Sequence, residues 1–120
     1  MIVLDEDYLM TKFIKNIEHE SVLSLVDEIE YQPGQVVSKT LGQNDHHSLT
    51  LFAFEKGEEI STHKSEGDAL VMALDGTGRI TISDRQYSLN AGEVIVMPAN
   101  VPHAVYAQER FKMLLTVFFP

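Results

Sequence analysis

The stretch STHKSEGDALVMALDG, residues 61–76, places a histidine at the start of an apolar segment in the middle of the chain. Successive side chains on a β-strand point to opposite faces, so His63 and Ser65 lie on one face. If the strand continues, the face of His63 and Ser65 also carries Ala69, Val71 and Ala73. The opposite face carries Leu70, Met72 and Leu74. Apolar side chains on both faces are typical of a strand that lies between two layers of structure.

Further short strands surround this segment. From Tyr31 onward the chain carries runs that are rich in β-branched and aromatic residues, among them VVSKTL, SLTLFAF, RITIS, VIVMP and KMLLTVFF. The separators GQND, EKGE, DGTG and NAGE contain the glycine, asparagine or aspartate that tight reversals favour. Short strands at this spacing predict an all-β, antiparallel sandwich or barrel.

The first thirty residues have a different pattern. From Asp5 to Glu18, apolar residues recur at helical spacing behind the acidic opening DED, which suits a helix N-terminus. The segment FIKNI within it is equally compatible with an edge strand, because short apolar stretches do not distinguish the two. The stretch SVLSLVDEIE is ambiguous in the same way.

Length and composition restrict the class of protein. A chain of 120 residues and 13.5 kDa supports one compact domain, and 44% apolar with 22% charged residues is the balance of a soluble globular protein. Cysteine is absent, so disulfides, thiolate nucleophiles and zinc–thiolate sites are excluded. Any metal is therefore expected on histidine or oxygen ligands, and a reducing, cytoplasmic location is predicted.

Net charge and hydropathy argue against two kinds of partner. The formal charge of −9 repels nucleic-acid phosphates, and no basic stripe with interleaved aromatic residues compensates for it. The apolar run Met1–Leu4 is far shorter than a membrane-spanning helix or the apolar core of a signal peptide. We therefore predict no nucleic-acid partner and no membrane association.

A second segment points to a known architecture. The stretch GEVIVMPANVPHAVYA, residues 92–107, begins at a turn, breaks at two prolines and presents His103 at the start of a new strand. The two segments, in this order, resemble the two motifs of the cupin superfamily. Its first motif reads Gly, five residues, His-x-His, three or four residues, Glu, six residues, Gly. Its second reads Gly, five residues, Pro-x-Gly, two residues, His, three residues, Asn. The matching positions are Gly57, His63 and Gly76 in the first motif and Gly92, Pro98 and His103 in the second.

The resemblance implies a fold and an organisation. It implies a jelly-roll barrel, also called a double-stranded β-helix, over residues 31–120, with residues 1–30 as an N-terminal extension packed on the barrel. It implies a binding site in the barrel mouth and, frequently, a homodimer. The apolar C-terminal stretch FKMLLTVFFP fits a dimer contact, although it fits equally well a strand that closes the sheets of the monomer.

The family's usual metal ligands are only partly present. The resemblance places His63 and His103 at ligand positions for a divalent metal (iron, manganese, zinc or nickel), but Ser65 stands in place of the second histidine and Ala69 in place of the glutamate. Asn100 and Ala107 also depart from the second motif, at positions that concern turn geometry. Because typical sites use three protein ligands, two imidazoles alone are expected to bind metal weakly.

Two sources for a third ligand remain open. His47 reaches the mouth if the strand SLTLFAF lies beside His63, and otherwise NDHHS is a solvated turn, which turn chemistry favours. Glu66 and Asp68 point away from His63 by strand alternation unless Gly67 marks a bulge. A metal-bound site is thus an alternative, and a metal-free cavity is the main expectation.

Three functions are compatible with this pattern. The first is a small-molecule-binding protein in which His63, Ser65 and His103 hold the ligand and aromatic residues, with Phe54 and Tyr106 as our choices, line the pocket. The second is an enzyme: a metal-dependent oxygenase, isomerase or decarboxylase, or a metal-free catalyst with a histidine base. The third is a non-catalytic assembly module with a filled barrel.

Overall fold

The structure is a computed structural model that describes residues 13–120. Its regular elements are seven β-strands and one short 3-10 helix over Leu25–Asp27. The strands are β1 (Val36–Gln43), β2 (His47–Phe54), β3 (Glu59–His63), β4 (Asp68–Ile82), β5 (Arg85–Asn90), β6 (Val94–Met97) and β7 (His103–Phe118). The predicted all-β, antiparallel class is confirmed.

Two long strands organise the sheet. β4 and β7 pair antiparallel along almost their whole lengths, from Asp68 opposite Phe118 to Ile82 opposite His103. The first half of β4 also pairs with β6 and its second half with β5. Likewise the first half of β7 pairs with β3 and its second half with β2, which in turn pairs with β1. Each long strand therefore contributes to two layers, one on each side of its middle.

The long strands bend where β4 carries two glycines. The pairing register with β7 shifts between Ala73 and Asp75 and again between Gly76 and Gly78. Gly76 has a φ of +72°, and a Cβ built there would lie 1.5 Å from the carbonyl oxygen of Arg110. Only glycine permits both that backbone conformation and that close approach. The sequence match at Gly76 thus corresponds to the bend between the layers.

Side chains from both layers form one core between them. Alternation places the odd-numbered residues of β7 inside, and apolar residues of β2, β4, β5 and β6 meet them. The fully buried aromatic residues are Phe54 and Phe111, whose ring centroids are 5.8 Å apart. The expected inward face of β4 is confirmed, since Ala69, Val71 and Ala73 are buried whereas Met72 is exposed.

The chain before β1 packs on the outer surface of one layer. Ile29 is buried against Leu41, Leu51 and Ala53, and partly buried side chains complete this second cluster, including Ile17, Leu25 and Tyr31. Lys112 of β7 is 9% exposed and donates a hydrogen bond from Nζ to the Val26 carbonyl at 2.6 Å. The extension therefore covers the face of the sheet that points away from the main core.

The structure resolves only part of the N-terminal ambiguity. Residues 13–18 form bends and neither the helix predicted over 5–18 nor the edge strand FIKNI, so both expectations are wrong there. The positive φ of Asn16 interrupts either regular conformation. The rest of the predicted helix lies outside the described residues. SVLSLVDEIE contains the 3-10 helix and no strand.

The C-terminal stretch closes the sheets of a single chain. It belongs to β7, which lies between β2 and β4, so its apolar character on both faces is explained without a partner. The homodimer stays a prediction. Within residues 13–120, no helix is long and apolar enough to cross a membrane.

Candidate functional site

The two motif histidines lie side by side. His63 ends β3 and His103 begins β7, and the antiparallel register places these two residues directly opposite each other. Their Nε2 atoms are 3.1 Å apart, and their rings meet edge to face with centroids separated by 4.3 Å. His103 is 3% exposed, whereas His63 is exposed to solvent. The pair therefore reaches from the core to the surface at one end of the barrel.

The other ring nitrogens of both histidines contact backbone carbonyls. Nδ1 of His63 lies 2.9 Å from the oxygen of Ser61, and Nδ1 of His103 lies 3.1 Å from that of Val101. Carbonyl oxygens can only accept, so each Nδ1 must carry the hydrogen of its contact. A neutral imidazole has only one N–H, so in the tautomers that satisfy both carbonyl contacts the two Nε2 atoms present lone pairs to each other.

The pair is thus one hydrogen short of satisfying its contacts. Three contacts need three hydrogens, and two neutral rings provide two. A proton between the Nε2 atoms completes the set, and so does a cation that both lone pairs bind. The environment opposes a second added proton, because burial and then the positive charge of His63 lower the pKa of His103, although the Val101 carbonyl partly offsets this.

A cavity of about 570 Å³ begins at the histidine pair and extends between the layers. Its wall is mainly apolar and comes from β2, β3, β4, β6, β7 and the C-terminus: Phe52, Ile60, Ala69, Met97, Val105, Met113, Leu115, Val117 and Phe119. Its polar lining is concentrated at the histidine end: His63, Lys64, Ser65, Glu66 and His103. A cavity of this size and composition accommodates a small organic molecule.

The loop after β3 is held in place at the cavity rim. The Ser65 hydroxyl accepts a hydrogen bond from the Gly67 amide at 3.2 Å, and the Ser65 carbonyl accepts one from the Asn100 amide at 2.7 Å. Asn100 has a positive φ, which this close turn uses. The hydroxyl hydrogen of Ser65 remains available as a donor at the rim.

The donor set matches only in part the metal that the motif positions imply. Two nitrogens bound to one tetrahedral zinc ion at about 2.0–2.1 Å lie about 3.3–3.4 Å apart, and the observed 3.1 Å is slightly shorter than this. Carbonyl acceptors on the other ring nitrogens are also the usual second shell of metal-bound histidines. However, no group of three histidine, aspartate or glutamate side chains capable of holding a metal occurs among the described residues. The residues present therefore fit a pair of ligands and not a complete site.

Of the three candidate third ligands, Glu66 lines the cavity at the histidine end, whereas Asp68 and His47 serve other contacts. Asp68 accepts a hydrogen bond from the Ala99 amide at 2.8 Å and so serves the neighbouring loop. The expectation for His47 is wrong in its placement, because His47 starts β2 opposite Phe118 and packs against that ring, with 5.1 Å between centroids. β2 borders β7 along its second half, whereas His63 borders the first half.

Two further residues that were predicted to line the pocket, Phe54 and Tyr106, lie outside it. Phe54 is fully buried and packs on Phe111 in the filled part of the core, beyond the cavity. Tyr106 points out of the barrel, where the Arg79 guanidinium stacks 4.6 Å from its ring centroid. Strand alternation explains this second error, because residues 103 and 106 differ by an odd number and so face opposite sides of β7.

The structure brings together the rest of the predicted set and adds to it. His63, Ser65 and His103 all line the same cavity. Several wall residues were not predicted, including Ile60 and the β7 residues Leu115 and Val117. Alternation counted from His103 would have identified those β7 residues as inward-facing. No comparable signal marked Lys64, because its position depends on the loop between β3 and β4, and Glu66 was expected at the cavity only if Gly67 interrupted the strand.

Comparison with protein families and known proteins agrees with this architecture. A family model described as a cupin domain matches residues 50–118. That range contains the histidine pair and most of the cavity wall. No curated protein matches the chain.

Solved structures provide close matches over most of the chain. A conserved protein of unknown function from Streptococcus pyogenes is 45% identical, with a TM-score of 0.90 over 92% of this chain and 97% of that one. A cupin superfamily protein from Desulfitobacterium hafniense is 36% identical, with a TM-score of 0.86 over 89% and 98%. A cupin 2 conserved barrel domain protein from Leptotrichia buccalis is 42% identical, with a TM-score of 0.78 over 80% and 47%. The predicted jelly-roll fold is confirmed.

Proposed function

The chain belongs to the cupin superfamily, and on this basis we propose that it binds a small, largely apolar molecule whose polar group meets His63, Ser65 and His103. Fold alone does not select this function, because one barrel serves many chemistries. The observation that carries the proposal is the cavity of about 570 Å³ with polar lining at one end only. That arrangement orients a ligand, with its polar group at the mouth and its apolar part inside.

The same observation weighs against the assembly module. A barrel that serves only as a scaffold is expected to be filled, with its histidines satisfied by internal contacts. Here the space beside the histidines is open, and the pair lacks one hydrogen for its contacts. Interiors are normally close-packed, so a cavity of this size supports a binding role.

A fragment screen tests this proposal. Ligand-observed NMR with small aromatic and branched aliphatic compounds that carry one polar group should identify ligands of the wild-type protein. Leu115→Trp fills the cavity from β7 and should weaken the confirmed ligands at least about tenfold. Met72→Trp is the matched control, because Met72 lies on the exposed face of β4.

The outcomes separate clearly. Binding that Leu115→Trp removes and Met72→Trp retains would support the proposal. Equal binding to all three folded proteins would place the compounds elsewhere on the surface and contradict it. A screen without any ligand would also count against a small-molecule role.

A further inference from the structure

The histidine pair offers hydrogen-bond acceptors where the cavity begins. In the tautomers that satisfy both carbonyl contacts, the Nε2 lone pairs of His63 and His103 face each other across 3.1 Å. The cavity of about 570 Å³ opens beside these two acceptors. Resting on the proposed function, we infer that the ligand is a protonated primary amine on an apolar skeleton, whose ammonium group donates hydrogen bonds to both Nε2 atoms.

Donor and acceptor counts select the ammonium group. It carries three N–H donors and no acceptor, so it places no lone pair against the imidazoles. A nitrogen at about 2.9 Å from each Nε2 atom is compatible with their separation of 3.1 Å. An alcohol brings one donor for two acceptors, and a carboxylate brings acceptors only. The pair therefore discriminates between ligands that differ only in their polar group.

A carboxylate lines the same end of the cavity. Glu66 lies in the loop between β3 and β4 and belongs to the polar lining that both histidines share. An ionised carboxylate only accepts hydrogen bonds, and those it accepts from a charged donor are the stronger kind. Together with the two Nε2 lone pairs, Glu66 gives an ammonium group an acceptor for each of its three hydrogens.

One positive charge lies at the same rim. Lys64 also lines the cavity mouth, and its charge opposes an ammonium group there. Lys64 is exposed, however, and its long flexible stem lets the charged Nζ atom stay in solvent. The whole chain carries a formal charge of −9, which attracts cations over longer distances. The charge of Lys64 should therefore weaken amine binding without preventing it.

The inner wall of the cavity suits the carbon skeleton of such an amine. Phe52, Leu115 and Ala69, which is 2% exposed, line the space behind the histidines. These side chains favour apolar groups and offer no acceptor to a second ammonium group. The arrangement therefore selects a monoamine, with its charge at the mouth and its skeleton inside.

Calorimetry with three compounds of similar skeleton tests the inference. The probes are 2-phenylethylamine, 2-phenylethanol and phenylacetate, which share a phenyl ring and differ in the polar group. At pH 8 an alkylamine is protonated and an unperturbed imidazole is neutral. We expect the wild-type protein to bind the amine at least about tenfold more tightly than the alcohol, because charge-assisted hydrogen bonds are the stronger ones. Phenylacetate should bind most weakly.

Variants at the mouth locate the ammonium group. His63→Ala should reduce the preference for the amine over the alcohol to less than about threefold, and since His63 is exposed the variant is expected to fold. Glu66→Gln should weaken amine binding by about twofold to fivefold, and Lys64→Gln should tighten it by a similar factor.

Glu59→Gln is the matched control for Glu66→Gln. It removes the same charge from an exposed position of β3 that faces out of the barrel, since its neighbour Ile60 lines the cavity. Amine binding should change by less than about twofold, because solvent and salt screen a charge outside the cavity. Equal losses in Glu59→Gln and Glu66→Gln would contradict a contact with Glu66 and overturn the inference.

Other results would also overturn it. Phenylacetate as the tightest ligand would mean that the mouth holds an anion, and so would weaker amine binding in Lys64→Gln. An amine preference that survives in His63→Ala would place the ammonium group elsewhere. Alcohol binding as tight as that of the amine, and lost in Leu115→Trp, would overturn the inference and leave the proposed function standing. If none of the three compounds binds, the inference fails, and the fragment screen with Leu115→Trp decides the proposed function separately.

Discussion

One end of the barrel is packed solid and the other is open, although the same strands build both. At the filled end, Phe54 and Phe111 are fully buried beside the bend at Gly76. At the open end, the same layers present Ala69, two histidines and flexible methionines, and a cavity remains. The difference follows from side-chain size and not from a change of backbone pairing, since β4 and β7 pair along both ends.

The two ends of the barrel should contribute differently to stability and to ligand binding. Removing a buried aromatic ring costs transfer free energy and leaves a void, so the filled end is expected to carry stability. At the open end the space already exists, and its polar groups lie partly in solvent. We therefore expect substitutions at the filled end to change the free energy of unfolding and those at the open end to change binding.

The largest effect is expected at the bend of the filled end. Gly76→Ala forces a Cβ to within 1.5 Å of the Arg110 carbonyl, so the free energy of unfolding should fall by more than about 4 kcal/mol or the protein should not fold. Gly92→Ala is the control, because Gly92 also has positive φ but no atom within 4 Å of a built Cβ. Its cost should be about 1–2 kcal/mol. If urea unfolding showed the same loss of stability for both variants, the close approach of Gly76 to the Arg110 carbonyl would be contradicted.

Deleting an aromatic ring should have the next effect. Phe111→Ala should lower the free energy of unfolding by about 3–5 kcal/mol, because the ring is fully buried. Phe118→Ala, on the same strand but 57% exposed, should cost about 1 kcal/mol or less. Denaturant titration of both variants checks this, and a small loss for Phe111→Ala would show that the filled end is not the stabilising one.

Restoring the missing ligands should turn the open end into a complete metal site. Ser65→His with Ala69→Glu adds an imidazole and a carboxylate to the cavity that contains His63 and His103. We expect Zn²⁺ affinity to rise at least about 100-fold, equivalent to roughly 2.7 kcal/mol. Ser65→His with Met72→Glu puts the carboxylate on the opposite face of β4 and is the control. Unchanged calorimetric affinity in the first variant would contradict the orientation of these residues.

Acid should weaken the open end before the filled end. Burial and the charge of His63 lower the pKa of His103, so the fold favours the neutral ring. The neutral ring of His103 therefore contributes stability that is fully present above the pKa of an unfolded histidine, about 6.5. That contribution is lost as the pH falls through the lower pKa of His103 in the folded protein. The melting temperature of the protein, measured with a metal chelator present, should fall over this pH range. His103→Gln should flatten the pH dependence, and an unchanged profile would remove His103 as its source.

The smallest effect on stability is expected at the exposed histidine. His63→Ala should change the free energy of unfolding by only about 0.5 kcal/mol, because the ring is in contact with solvent. Heat denaturation of the metal-free variant measures this. A loss comparable to that of Phe111→Ala would mean that His63 is structural and would remove the distinction between the two ends.

Local rules predicted much of the site. Alternation along β4 correctly placed Ala69 and Val71 inside, and the two motif histidines were correctly expected to share a cavity. The same rule, applied to β7, would have excluded Tyr106. Phe54 could not be excluded in this way, because it has the same parity as the cavity residue Phe52 and differs only in its depth along β2.

The sequence by itself determined the strand class, the inward face of the first half of β4, and the absence of two of the family's four ligand residues. These are local properties, since alternation and side-chain identity do not depend on distant contacts. Only the tertiary structure decided that His63 stands opposite His103, that His47 lies beside Phe118, and that both Nδ1 atoms meet carbonyl oxygens. Strand order and register are settled by packing between distant segments, and the converging lone pairs of the site exist only once that packing is complete.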